Sequence, residues 1–312
     1  MCFETFDIKK RLLRLYAETT AMLQQCDCVF VLLSSRGRKI FFPLLYHLNK
    51  KFNKPIYHDA IGGRLALEVE RKSRWKKYVN SFRVNWVELP SLQKKLSELG
   101  VTNAVTLPNF KRLTVLTENE IDKVVPEVFK FCTFSRVVET KGITAAMEAI
   151  QYVNKQAGKK IAELYIYGEV DPVYKEKFER LLKENADAVF YKGAVSFDKS
   201  VETIKEYYIL LFPTTHPGEG FPGTFIDAYA AGLPIIASDW NYNAELIKEG
   251  VTGFCYPWNQ PEKFYHLVQY TVDHPEKIIH MKADCLREAE IYSPETVMKT
   301  ICTQIKKDVG II

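Results

Sequence analysis

The sequence predicts an α/β protein of two domains, each built on a parallel sheet. Short apolar runs of strand length alternate with stretches of helical apolar spacing along almost the whole chain, the pattern of a parallel sheet with helices on its faces. The chain has 312 residues, 47% hydrophobic and 26% charged, enough for two ordinary cores. A charged stretch over 110–127, KRLTVLTENEIDKVVPEV, reads as the link, which sets the domains at 1–125 and 126–312.

In the first domain, residues 8–25 have helical spacing and CDCVFVLLSS reads as a buried strand. RKIFFPLLYHLNKKF follows as a helix with Pro43 in its middle. KPIYHDA is a strand ending near His58, and LALEVERKSRWKKYVNSF is helical. VNWVELP, a helix capped by Ser91 and stopped by Gly100, and NAVTLPN complete the series. In the second domain, VFKFCTFS, AELYIYG, AVFYKG, YYILLF, LPIIAS and TGFCYP read as strands. Helices are expected over ITAAMEAIQYVNKQ, 172–185, 198–206, from about Pro222, and over three final segments opened by Pro261, Pro275 and Pro294.

The densest chemistry lies between Pro213 and Asp239. Glycines in the loop 216–224 let a backbone approach a ligand closely, and a helix start at Pro222 presents free N–H donors suited to an anion or sugar hydroxyls. Glu219 and Asp227 bracket that start; they either contact a ligand or cap the helix and offset its positive end. Arg136 and Lys141 stand at a strand's carboxyl end before a helix, where a guanidinium fork and a compact ammonium suit phosphate oxygens. Two ordinary surface cations are disfavoured there by the helix dipole. His58 is placed at a strand's carboxyl end, where open α/β sheets hold ligands; a structural histidine is the alternative.

EGFPGTFIDAYAAGLPIIASD resembles the signature of family 4 (group 1) retaining nucleotide-sugar glycosyltransferases, in which a Glu, seven residues and a second Glu precede an A-x-G-x-P-V-[IV]-A strand. Asp227, one methylene shorter, stands at the second position. Residues 135–142 resemble the family's G-R-x-x-x-x-K-G stretch with Ser135 in place of Gly, and Glu245 and Gly253 match its tail. The resemblance is close over 128–258 and looser over 27–110, and the GEGFPGT variant looks like bacterial surface-polysaccharide enzymes.

The resemblance implies two Rossmann-like domains facing across a cleft, the arrangement called GT-B, with the N-terminal domain incomplete. It implies a metal-independent transferase with no cofactor, taking a sugar from a nucleotide diphosphate to a polysaccharide or lipid-linked saccharide. Arg136, Lys141 and Ser135 would take the diphosphate, with His58 facing the sugar and phosphate. Glu219 with the backbone of Gly220, Phe221, Pro222, Gly223 and Thr224 would orient the sugar. Asp227 would hold the ribose, and Lys192 to Val195 would lie near the base. A sugar epimerase or phosphorylase relative, and a nucleotide-sugar-binding remnant or subunit without catalysis, are the alternatives.

Composition narrows partners. Residues 1–110 hold 19 Lys and Arg against 9 Asp and Glu, so this half is basic and attracted to anionic surfaces. The mixed basic and aromatic stretch from Arg71 to Tyr78 suggests peripheral membrane contact, or a solvated face. No nucleic-acid motif is present. Apolar runs are too short to span a bilayer and no signal-peptide layout opens the chain, so a cytoplasmic protein is expected. Seven scattered cysteines form no disulfide framework, and Cys26-x-Cys28 has no partner motif at zinc spacing.

Overall fold

The computed structural model describes residues 12–308, which divide into two compact units meeting at Pro108 and Asn109. Residues 8–11 of the expected first helix lie outside the described residues.

The first unit runs α1 (Leu12–Gln25), β1 (Val29–Leu32), α2 (Ser35–Phe52), β2 (Ile56–Ala60), α3 (Arg64–Arg71), α4 (Ser73–Val79), β3 (Val84–Val87), α5 (Pro90–Glu98) and β4 (Ala104–Thr106). The four strands are parallel and lie side by side in chain order. Ser34 caps α2 by accepting from the Gly37 amide, and Asn53 ends it in the left-handed region. Pro43 sits inside α2 as the sequence suggests. The expected single helix after residue 64 is two, because Lys72 is extended and separates α3 from α4. Helix α5 starts on Pro90, so Ser91 lies within its first turn instead of capping it.

His58 corrects an expectation. It occupies the middle of β2, not its end, and is 0% exposed. Its Nδ1 is 2.9 Å from Asn85 Oδ1 on β3, and its ring meets the edges of Phe42 and Phe82 with centroids 5.0 and 5.8 Å away. The alternation of side chains along a strand puts it on the helix-covered face, while Phe30, Tyr57 and Trp86 stack on the other. This is a core histidine of the first unit.

The second unit runs β5 (Phe129–Phe134), α6 (Ile143–Ala157), β6 (Ala162–Tyr167), α7 (Lys175–Glu184), β7 (Val189–Gly193), α8 (Ser200–Ile204), β8 (Ile209–Phe212), α9 (Gly223–Ala230), β9 (Ile235–Ser238), α10 (Asn243–Leu246), β10 (Gly253–Tyr256), α11 (Pro261–Asp273), α12 (Pro275–Ala289) and α13 (Pro294–Asp308). Its parallel sheet has the order β10-β9-β8-β5-β6-β7. Strands wind outward from β5 to β7, then from β8 to β10, so the order reverses between β5 and β8. Loops leaving the carboxyl ends of those two strands diverge, which opens a crevice suited to a ligand. The core beneath holds Phe131, Ile150, Leu164, Ile209, Ile236 and Phe264, each no more than 1% exposed.

The stretch expected as a link packs on this unit. The Leu116 amide donates to Ala230 O at 2.9 Å at the end of α9, and both Leu116 and Ile121 are buried. Apolar residues punctuating a charged segment carried that information: a free link has no reason to bury them.

Burial is the main cause that pushes the His58 imidazole down to about 4; the bond to Asn85 opposes it and the Arg38 charge adds to it. The unfolded chain, near 6.5, therefore binds more protons between those values, and the stabilisation present above pH 6.5 is lost as pH falls toward 4, by at most about 3 kcal/mol. Melts followed by tryptophan fluorescence at pH 7.5 and 5 should show the parent losing more on acidification than His58→Gln. An equal loss in both would overturn this account.

Candidate functional site

A pocket of about 390 Å³ lies at the reversal point of the second sheet, and every residue lining it belongs to the second unit. The segments that follow four of the strands contribute most of its lining. The segment after β5 brings Ser135 and Arg136, and a turn of 3-10 helix over Glu139–Lys141 brings Lys141. The loop after β8 with the start of α9 brings Glu219, Pro222, Gly223, Thr224 and Asp227. The segments after β6 and β7 supply Gly168, Glu169, Ala194 and Val195.

Two glycines make this convergence sterically possible. Gly142 ends the 3-10 turn at φ 73°, and a Cβ there would stand 2.0 Å from the Pro213 carbonyl oxygen just past β8. Gly168, at φ 134°, would set a Cβ 1.8 Å from the Ser135 carbonyl oxygen. Any side chain at either position would push apart the strand ends that form the walls.

The charges are mostly paired within the site. Lys141 Nζ donates to Glu219 Oε2 in a short contact and lies 5.0 Å from the centre of the Phe212 ring. Thr214 Oγ1, fully buried, also stands 3.1 Å from Glu219 Oε2. Asp227 is 3% exposed, and its Oδ1 accepts from Lys111 Nζ at 2.5 Å and from Ser200 Oγ at 2.6 Å. Arg136, by contrast, is exposed and makes no ion pair among the described residues.

Neither carboxylate caps α9 through its side chain. Helix α9 has no side-chain cap, with Pro222 at the cap position, and Asp227 lies inside the helix facing Lys111 and Ser200. No side chain caps the first amides of α9. Thr224 Oγ1 is buried without a hydrogen-bond partner among the described residues. A buried hydroxyl in that condition is costly unless something in the pocket meets it.

Nine of the residues singled out in the sequence line this pocket: Ser135, Arg136, Lys141, Val195, Glu219, Pro222, Gly223, Thr224 and Asp227. Four do not. His58 belongs to the first unit's core. Lys192 sits exposed within β7, before the segment that reaches the pocket. Phe221 turns inward against Tyr292, ring centroids 5.2 Å apart, and Gly220 beside it is not part of the lining. Lys111 is the residue that sequence reasoning missed. The sequence places it in the link, and only the apolar Leu116 and Ile121 within that charged stretch hint that the segment packs as structure.

Comparison with known proteins follows this geometry. Residues 128–274 match the family model of glycosyl transferases group 1. The amylovoran biosynthesis glycosyltransferase AmsK of Erwinia amylovora is 27% identical over 217 residues, 65% of this chain and 50% of that protein. An uncharacterized glycosyltransferase, MJ1069 of Methanocaldococcus jannaschii, is 27% identical over 150 residues, 46% of this chain and 36% of that one. The chain thus spans half or less of these curated relatives. Among solved structures, Anabaena Alr3699/HepE in complex with UDP superposes with a TM-score of 0.74 at 13% identity, covering 94% of this chain and 82% of that one. The apo lipopolysaccharide outer core galactosyltransferase WaaB gives 0.72 at 15%, covering 98% and 82%. The fold is that of GT-B glycosyltransferase structures, two α/β domains with parallel sheets.

Removing Lys111 leaves the Asp227 carboxylate buried without its cation, and breaking such a pair costs roughly 3 kcal/mol. Lys111→Met should lower the urea midpoint, and adding Asp227→Asn should recover most of the loss. A double variant no more stable than Lys111→Met would show that the pair is not what holds this segment.

Proposed function

We propose that the chain transfers a sugar from a nucleotide diphosphate donor, with retention of anomeric configuration and without a metal, to a saccharide or lipid-linked saccharide. The observation that carries this reading is the pocket at the sheet's reversal point, where the exposed Arg136 stands with Lys141, Glu219 and the start of α9, which no side chain caps. The family match over 128–274 and the UDP bound by the structurally similar Alr3699/HepE protein support a nucleotide-sugar donor.

The roles follow from the chemistry of each group. As the bond between the anomeric carbon and the diphosphate oxygen breaks, negative charge grows on the departing diphosphate, and Arg136 offers it a fork of N–H donors. Lys141 exchanges Glu219 for a phosphate oxygen. That exchange releases the Glu219 carboxylate to accept from sugar hydroxyls, with Thr214 still holding it in place. The free amides of α9 and Thr224 Oγ1 complete the shell around sugar and phosphate. Lys111 and Ser200 occupy Oδ1 of Asp227, leaving Oδ2 for a ribose hydroxyl. The shorter side chain at 227 is thereby fixed by two bonds.

A growing bacterial surface polysaccharide is the acceptor we favour, supported by the relatives named for amylovoran biosynthesis and for the lipopolysaccharide outer core. Membrane-bound acceptors suit a cytoplasmic enzyme with peripheral contact. The basic first unit supports such contact: Lys50 and Lys77 lie 4.8 and 5.4 Å from the Tyr46 ring on the α2 and α4 surface. No helix among the described residues is long and apolar enough to cross a membrane.

Calorimetric titration with UDP and GDP should give binding of one nucleotide, weakened about tenfold or more by Arg136→Ala and by Asp227→Ala. Proton NMR of the transfer product should then show the donor's anomeric configuration. Absence of nucleotide binding by folded protein would overturn the donor assignment; binding without transfer would favour a donor-binding subunit.

A further inference from the structure

Outward from the pocket, the next two strand-end loops carry a pair of tryptophans that the donor site does not use. Trp240 follows β9, and Trp258 follows β10 at the edge of the sheet. Their rings meet edge to face, centroids 5.0 Å apart at 80°. Trp240 is half-buried and donates its indole N–H to His216 O at 2.8 Å. Trp258 remains 49% exposed, although its amide is bound by Asp239 Oδ1 at 2.8 Å. A large aromatic ring left half in water yet pinned from behind and below is a rigid platform.

This platform is fastened to the loop that bears Glu219. Besides the Trp240 bond to His216, Asn241 Nδ2 donates to Glu219 O at 3.0 Å, and Asn241 holds the left-handed conformation at φ 53° that turns it there. The loops after β8, β9 and β10 therefore form one continuous rim. Two strand spacings separate the ends of β8 and β10, about 10 Å. A ligand reaching along this rim from the β8 loop to the β10 loop is therefore longer than one sugar ring.

We propose that Trp258, supported by Trp240, is a binding platform for a neutral oligosaccharide. The surroundings select that chemistry. A sugar ring presents an apolar C–H face bordered by hydroxyls, and exposed polar groups accompany Trp258: the carboxylate of Asp239, whose Oδ1 accepts from the Trp258 amide, and Asn259, the next residue. A carboxylate held beside Trp258 disfavours phosphate-bearing lipid, which needs cations there. This inference rests on the sugar-transfer reading of the neighbouring pocket, for which the oligosaccharide would be the acceptor.

The test uses the full chain labelled with 5-fluorotryptophan, which reports separately on Trp75, Trp86, Trp240 and Trp258 by fluorine NMR. Cellotetraose and maltotetraose are the probes, each titrated with and without UDP. Either should shift the Trp258 and Trp240 signals and leave Trp75 and Trp86 in place. Trp258→Ala should weaken saccharide binding about tenfold or more, Trp258→Phe should restore part of it, and UDP affinity should stay unchanged in both. Saccharide binding that persists without UDP binding would remove the donor reading and leave the platform standing. No shift at Trp258 with either saccharide, or binding equally strong in Trp258→Ala, would overturn the platform. Trp258-dependent binding to phosphatidylglycerol vesicles in place of saccharide would overturn it as well.

Discussion

The pairing of β5 with β8 is the constraint from which the second unit's chemistry follows. Only Phe131 with Ile209 and Cys132 with Leu210 are in register, yet that contact joins two runs of strands that wind in opposite directions. A parallel sheet aims all its strand ends the same way, so the segments after β5 and β8 leave from adjacent points and separate at once. Two facing walls of the pocket are placed by that divergence. The 3-10 turn with Lys141 comes from one side, and Glu219 with the start of α9 comes from the other. Gly142 keeps the gap no wider than backbone contact allows, and Gly168 does the same between the segments after β5 and β6.

Charge is the second organising factor. Lys111, Arg136 and Lys141 face Glu169, Glu219 and Asp227 around one small volume. Pairing within such a site lowers the cost of holding charges out of water, and it also sets what a ligand must displace. Lys141 and Glu219, each about 10% exposed, are held by one another, whereas Arg136 stands open to solvent. In the proposed reaction a phosphate group would meet the exposed Arg136 without displacing a carboxylate, and would have to compete with Glu219 for Lys141. The more buried cation is the more selective of the two.

Much of this was legible in the sequence, for identifiable reasons. Periodicity gave the strands, because a run such as YYILLF between turn residues has few other uses in a globular α/β chain. Fixed spacing inside one loop and one helix gave Glu219, Thr224 and Asp227, because residues close in sequence stay close in space. Long-range partners were not legible. Nothing in the string announces that Lys111 returns to Asp227, or that His58 lies under Phe42 and Phe82 and not at the end of its strand. A four- or five-residue strand shifts its end by one or two positions without altering its pattern, and that shift separates a ligand contact from a core residue. Phe221 shows the same limit: its motif position is local, but Tyr292, which draws it inward, is supplied from far along the chain.

The two strand orders also carry a kinetic consequence. In the first unit each strand pairs with the next one synthesised, so its sheet grows by short loop closures. In the second unit β5 waits until residues 209–210 have emerged before its inner edge is filled, and β5 to β7 pass that interval with one face of the sheet's centre unfinished. The pocket walls belong to those late-meeting strands. Strand order thus lets the first sheet close as it is synthesised, whereas closure of the second core and formation of the pocket at β5 and β8 are coupled.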